Sequence, residues 1–299
     1  MSHVVSLLFI AVVIFSSFGI LADTAIIYGI YRFKRLKTPS NVFLANWAIA
    51  DLLSIVTVPT IIVNYVLIFD PSSYIYTCLT THATVTCHLA VTVFGLLLSI
   101  DWCTAAYWPR ISDKVRNRYL FIIVAIWLVL LLFYILSSAL CISGIHFYFN
   151  VIIFVIFYAI NLLFVIVLQC TRIVQKCRTG SITYPESLNG RLAIISIITF
   201  SYLLAAVNVA LEYANVYHSS YDYIATYACT IISAITVLAS SVVTLGVLCW
   251  FDKNFRLCVF PIGSNTHARF ENEVSETEES PATFNNSNHL SNSNQNIVT

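Results

Sequence analysis

Three acidic residues, Asp23, Asp51 and Asp101, lie within otherwise apolar segments of the chain. A charged group is costly inside a lipid bilayer, so an acid in such a segment is a functional candidate by default. Two carboxyl groups that face each other in a helix bundle either share a proton or bind a cation such as sodium. We expect Asp23, Asn46 and Asp51 to form a buried polar core. The alternative to a functional role is that the two acids form a purely structural, protonated or hydrogen-bonded pair.

No motif in the sequence is typical of an enzyme or of a metal site. The nine cysteines include no CxxC pair, and His82 and His88 lack nearby residues at metal-ligand spacing. Neither HExxH nor GxSxG occurs, and no paired acids of the membrane-protease type are present. A retinal protein needs a Schiff-base lysine, which the last apolar segment lacks. We therefore expect no catalytic activity, no cofactor and no bound metal.

The apolar segments that carry these acids are long enough to cross a bilayer. Hydrophobic residues make up 59% of the chain and charged residues 10%, which does not fit a surface that faces water. About 20 apolar residues span the hydrocarbon as a helix. The first segment has a rival interpretation as a signal peptide ending near Ala22, which would leave six spans. The seven predicted spans are Val4–Tyr31, Val42–Ile68, Leu79–Trp108, Tyr119–Ile142, Phe147–Gln169, Leu192–Leu211 and Tyr223–Phe251.

The positions of the cations predict the orientation of these spans. All fifteen Lys and Arg residues fall in the loops and tail on one side of the predicted membrane, and cations in short loops are retained in the cytoplasm. The N-terminus is then outside and the C-terminus cytoplasmic, in the plasma membrane. Cys78 and Cys141 fall at outer helix ends, where an oxidising compartment permits a disulfide. The net charge of +1 gives no indication of nucleic-acid binding.

The C-terminal part divides into two short regions after the bundle of residues 1–251. Residues 252–261 have the spacing of an amphipathic helix on the inner membrane surface, with Cys258 as a palmitoylation candidate. Residues 262–299 have the composition of a disordered tail. In it, Ser275, Thr277 and Ser280 are phosphorylation candidates, or else the tail is solvated and never modified. The fold class is an all-α membrane protein, a seven-transmembrane bundle with a short eighth helix and lipid as a partner.

The run from Thr38 to Leu53 carries a family resemblance. Its Thr-Pro-Ser-Asn turn, Asn46 and Asp51 resemble the first inner loop and second helix of rhodopsin-like G-protein-coupled receptors. Thr57 and Pro59 look like the Thr-x-Pro element of the chemokine-receptor branch, in which the proline kinks helix two. Asp23 stands 28 residues before Asp51, where the family normally has an asparagine.

The third and fourth spans extend the resemblance. Asp101, Trp102 and Cys103, with Pro109 eight residues after the acid, are similar to the inner end of helix three and the loop that follows it. This likeness implies a cytoplasmic coupling surface. Trp127 falls close to the family's tryptophan in helix four, which implies a structural role.

The departures from the family lie mainly where its receptors move. An arginine follows the helix-three acid in the family, but Trp102 stands there in this chain, so no cation is available to hold Glu186, the counterpart of the acid on helix six. That family lock cannot form. The switch motifs of helices six and seven and the proline of helix five are also missing, which predicts that these helices lack bending points.

The resemblance implies a divergent, chemokine-receptor-like signalling protein with altered or ligand-independent coupling. Its implied partners are a heterotrimeric G protein, arrestin and a chemokine or small ligand. Such loss of motifs on a retained scaffold is similar to virus-encoded receptor homologues, which would place it in a host-cell membrane. One alternative is a non-signalling homologue that pairs with and modulates host receptors. Another is a small seven-helix transporter, and ion flux that Asp51→Asn abolishes would indicate it.

Overall fold

The computed structural model describes residues 2–67, 74–108, 111, 117–145, 149–179, 186–217 and 223–259. Within them the chain forms α-helices and one short 3-10 helix, Lys34–Leu36, and no strand. The α-helices are α1 Ser2–Arg32, α2 Pro39–Leu67, α3 Tyr74–Tyr107, α4 Tyr119–Ile142, α5 Phe149–Thr179, α6 Glu186–Ser201, α7 Leu203–Tyr217, α8 Tyr223–Phe251 and α9 Lys253–Val259.

Seven stretches of the described residues are long and apolar enough to cross a membrane, which confirms the seven apolar helices predicted from the sequence. They indicate a multi-pass membrane protein. Helices α6 and α7 together form the sixth of these stretches. The outward faces are apolar, since Phe121 is 76% exposed and Leu132 66% exposed, whereas polar residues such as Asp51 are buried. This distribution is opposite to that of a protein that faces water.

Helix α3 lies at the centre of the bundle and packs against α2, α4, α5 and α6. Helix α8 packs against α1, α6 and α7, and α4 contacts mainly α3. The sulfur atoms of Cys78 on α3 and Cys141 on α4 lie at disulfide-bond distance, as expected, and the Tyr74 hydroxyl donates to the Cys141 carbonyl at 2.7 Å. These contacts join the start of α3 to the end of α4.

The basic end of the bundle is the end where α1 and α3 stop and α2 and α6 begin. Two glycines allow close packing there. A Cβ atom on Gly190 of α6 would lie 2.7 Å from the Cβ atom of Phe251 on α8, and one on Gly29 of α1 would lie 3.3 Å from the Phe255 ring of α9. Asp252 caps α9 by accepting bonds from backbone N–H groups at 2.9 and 3.2 Å.

Helix boundaries differ from the prediction by about five residues or more in three spans. Helix α5 continues ten residues beyond Gln169, and α3 begins before Leu79, because their polar turns contain no proline. Helix α6 begins at Glu186, so Arg191 lies inside the helix rather than in the preceding loop.

The sixth span contains an interruption at Tyr202, although the absence of proline predicts none. Two polar contacts lie at this point. The Tyr158 hydroxyl of α5 donates to the Thr199 carbonyl at 2.8 Å, which competes with the helix for that acceptor, and the Tyr202 hydroxyl donates to Asp51. One side-chain hydrogen bond to the helix backbone and one to the Asp51 carboxyl group therefore accompany the interruption at Tyr202.

Candidate functional site

The start of α2 positions a serine at the basic end. Thr38 caps the helix by accepting the Asn41 N–H at 3.3 Å, and Pro39 occupies the first helical position, where its missing N–H costs nothing. The Asn41 side chain also donates to the Leu36 carbonyl at 3.0 Å. This turn holds Ser40 buried against α3.

Ser40 links an acid on α3 to a cation on α6. Its hydroxyl donates to the Asp101 carboxylate, and its oxygen accepts a bond from the Arg191 guanidinium at 2.8 Å. The same guanidinium lies 4.0 Å from the Asp101 carboxylate. The acid is 3% exposed and the arginine 34% exposed. A buried carboxylate is thus held by a hydroxyl donor and a partly hydrated cation.

Trp102 makes a second connection between α3 and α6. Its indole N–H donates to the Leu188 carbonyl at 2.7 Å, and its side chain is fully buried. The Tyr107 ring packs edge-on against the indole, with 6.3 Å between ring centroids. We call Ser40, Asp101, Trp102, Leu188 and Arg191 the α3–α6 latch.

The latch revises the sequence-based expectation for this region. The family pairs an arginine on helix three with an acid on helix six. In this chain the acid is Asp101 on α3 and the cation is Arg191 on α6. The sequence analysis missed Arg191 because it placed this residue in a loop. The signal that would have found it is its position directly before the apolar run that begins at Leu192.

The other predicted residues of the coupling surface differ in what the structure describes. Cys103 is half-buried as a free thiol next to the latch. Pro109 lies outside the described residues. The backbone of Glu186 begins α6, but its side chain lies outside the described ones, as do those of Pro59 and Cys258. Ser275, Thr277 and Ser280, and the predicted tail of residues 262–299, also lie outside the described residues.

A second polar cluster occupies the middle of the bundle, between α1, α2, α6 and α8. Asp51 accepts hydrogen bonds from the hydroxyl groups of Tyr202 and Ser241, one at each carboxyl oxygen. Asp23 lies beside Asp51 and Ser241. The structure therefore brings the two predicted core acids together and adds Tyr202 and Ser241, which the sequence analysis did not select.

Asn46, the third residue of the predicted polar core, lies in a separate contact. Its side-chain oxygen accepts the Trp127 indole N–H at 2.9 Å, and its amide donates to the Val42 carbonyl at 2.8 Å. Trp127 also packs on Phe94, with 5.5 Å between ring centroids. Two residues that carry the family resemblance thus contact each other and join α2 to α4.

Other polar side chains of the interior form hydrogen bonds within one helix or between two helices, whereas the buried side chains of Trp47, Ser54 and Thr244 have none. Thr57 donates to the Ser54 carbonyl at 2.8 Å, and α2 continues through position 59. His82 contacts the Asn150 amide at 2.7 Å, and His88 contacts the Thr84 carbonyl at 2.7 Å. Among the described residues no group of three or more metal-ligating side chains comes together.

No family model matches the chain, and no curated protein is significantly similar to it.

Proposed function

We propose that this chain is a divergent, chemokine-receptor-like signalling protein whose α3–α6 latch controls the opening of its cytoplasmic face. The observation that carries the proposal is the pairing of Asp101 with Ser40 and Arg191, because it joins three helices at one end of the bundle. The Asn46–Trp127 contact supports it, since both residues belong to the motifs of the family.

The proposed orientation places the basic end in the cytoplasm. All fifteen cations lie at the ends of odd-numbered spans, at the starts of even-numbered ones or in the segments beyond these ends, in agreement with the retention of cations inside. Helix α9 then lies at the inner membrane surface, held by the buried Phe255 against Gly29, with Arg256 exposed. Cys258 follows on the same short helix, where palmitoylation would add an anchor.

Opening of this face requires the latch to break. A hydrogen bond to a charged group contributes about 1.5–3 kcal/mol, and a neutral one about 1 kcal/mol. Water screens the exposed part of Arg191, so its ion pair with Asp101 contributes at the lower end of the range for bonds to charged groups. When the closed state is lower in free energy than the open state by a few kcal/mol, the open state is populated at roughly 0.1–10%. The chain is then mostly closed at rest, with measurable basal output.

Basal second-messenger output in cells tests this mechanism. Arg191→Gln removes the charge and keeps a polar side chain that is too short to reach the carboxylate in the same way, and we expect basal output to rise by about tenfold, the factor that corresponds to about 1.4 kcal/mol. The exchange Asp101→Arg with Arg191→Asp restores an ion pair of opposite polarity and should return output toward the original level. Arg178→Gln, an exposed cation at the end of α5, is the matched control.

Trp102→Arg tests the second connection of the latch. This change removes the donor to the Leu188 carbonyl and places a new cation beside Asp101, where it competes with Arg191 for the carboxylate. We expect basal output to exceed that of Arg191→Gln alone. Output that stays unchanged in all of these variants, with normal surface expression, would contradict autonomous signalling through the latch.

A second candidate function is a silent homologue that pairs with and modulates other receptors. The Trp102–Leu188 bond favours it, because a buried neutral bond persists when nearby charges are neutralised. Co-expression with a chemokine receptor distinguishes the two functions. A silent homologue shifts the dose–response of the partner receptor without output of its own, whereas a signalling protein produces output when expressed alone. Recruitment of G protein or arrestin is expected only for the signalling protein.

A further inference from the structure

Asp23 and Asp51 are two carboxyl groups in the centre of the bundle whose hydrogen-bond partners differ. Each oxygen of Asp51 accepts one hydroxyl donor, from Tyr202 or from Ser241. Neither oxygen of Asp23 receives a hydrogen bond at bonding geometry, although Asp51 and Ser241 lie beside it. Both acids are fully buried, at 0% exposure.

The groups that surround the pair supply no positive charge. Asp23 interacts with Asp51 and Ser241, and Asp51 interacts with Ser241, Tyr202 and Asp23. Cys87 and His88 also lie near Tyr202, the latter with its ring centroid 5.6 Å from that of Tyr202. Among these described neighbours none is a lysine or an arginine.

A second negative charge on Asp23 would therefore be poorly compensated. A buried carboxylate without donors loses its hydration and gains nothing in return, and two adjacent carboxylates repel each other strongly in an apolar interior. Asp51 is the better place for the single negative charge because two hydroxyl groups already donate to it. The missing compensation at Asp23 calls for a proton or for a bound cation.

We propose that Asp23 and Asp51 form a proton-binding site that holds one proton, carried by Asp23 and directed at Asp51. The proton converts Asp23 from an acceptor without donors into a donor, and it gives Asp51 a third hydrogen bond. No bond other than O–H is made or broken, and the pair keeps one negative charge. The neutral carboxyl then has a size and a donor like those of an asparagine side chain. This inference is independent of the signalling role proposed above.

Infrared spectroscopy of the purified full chain in lipid nanodiscs tests the site. The wild-type-minus-Asp23→Asn difference spectrum should contain a carbonyl-stretch band of a protonated carboxylic acid, which shifts to lower frequency in D₂O. Asp51→Leu, which brings no new donor, should keep that band at a changed frequency, because Asp23 still lacks donors. Glu278→Gln, near the C-terminus, is the control and should leave the band unchanged. A difference spectrum without the band would overturn the proposal.

Thermal unfolding provides a second measurement, which also covers the failure of a variant to fold. Asp23→Asn should melt close to the wild type, because the amide replaces a neutral acid, whereas Asp51→Asn should melt at a lower temperature, because it removes the charged acceptor of two hydroxyl groups. Addition of sodium in place of a large organic cation should not shift the wild-type Tm. A sodium-dependent rise that Asp23→Asn abolishes would show a metal cation in place of the proton and refute the assignment.

Discussion

The close packing of α6 on α8 at Gly190 leads to a prediction that tests the position of the latch. A methyl group on Gly190 would lie 2.7 Å from the Cβ atom of Phe251 and 2.8 Å from its Cγ atom. These atoms are fixed near the α8 backbone, so a rotamer change cannot relieve the overlap and the two helices must separate. Gly190→Ala should therefore destabilise the bundle and displace the start of α6, where Leu188 and Arg191 join the latch.

The magnitude follows from two opposing effects. Overpacking of a tight contact costs about 1–3 kcal/mol. Alanine in place of glycine inside a helix returns about 0.5–1 kcal/mol. The free energy of unfolding should fall by about 1 kcal/mol, with a range of roughly 0–2.5. On the scale of soluble proteins, 1 kcal/mol corresponds to a decrease in Tm of about 2–4 °C.

Gly246 offers a matched control on the partner helix α8. A Cβ atom there would meet nothing within 4 Å. Gly246→Ala should therefore keep the gain in helix propensity without the overlap, and raise the free energy of unfolding by about 0.5–1 kcal/mol. Both variants are measured by thermal unfolding in the same detergent, and basal output in cells is recorded in parallel. Gly190→Ala should melt below Gly246→Ala and raise basal output. Equal melting temperatures would refute the close approach of α6 and α8 and, with it, the placement of the latch.

Two further substitutions test the contacts that join other helices. Trp127→Phe leaves the buried Asn46 oxygen without its donor and should lower the free energy of unfolding by about 1–3 kcal/mol. The control Trp250→Phe, at a side chain that is 81% exposed, should change the free energy of unfolding little. Equal melting temperatures of the two variants would contradict the Asn46–Trp127 bond. Removal of the disulfide by Cys78→Ala with Cys141→Ala should cost about 2–4 kcal/mol, because the bond closes a loop with a sequence separation of 63 residues. Reductant should then lower the Tm of the wild type but not of the double variant, and a wild type insensitive to reductant would argue against the bond.

The structure supports part of the sequence-based site and rearranges the rest. Asp23 and Asp51 could be paired in advance, because both are acids in apolar segments and an ionisable group in such a segment faces other protein groups. Their partners Tyr202 and Ser241 could not, since a tyrosine or serine in an apolar helix is common and its direction depends on how distant helices pack. Cys78 and Cys141 were predictable because both fall at helix ends on the same side.

The α3–α6 latch also contains contacts that could not be predicted from the sequence. The sequence excluded only a lock between position 102 and Glu186, because Trp102 carries no charge. The indole N–H nevertheless reaches a backbone carbonyl, and Arg191 brings the cation from the opposite helix. Backbone acceptors leave no trace in the sequence, and the role of Arg191 depended on where α6 begins. The interruption of the sixth span at Tyr202 depends on distant helices in the same way, because the Thr199 carbonyl accepts from Tyr158 of α5 and the Tyr202 hydroxyl donates to Asp51 of α2.

The amino-acid sequence alone determined the number of apolar helices, the segregation of the cations and the presence of acids within the spans. These properties follow from composition along single segments, since a bilayer selects each helix by its own length and hydropathy. Only the tertiary structure decided which polar groups meet. It paired Asp101 with Arg191 and gave Asp51 two donors but Asp23 none. Those choices arise where helices distant in the sequence contact each other, and hydrogen bonds there depend on positions and directions that no single segment contains.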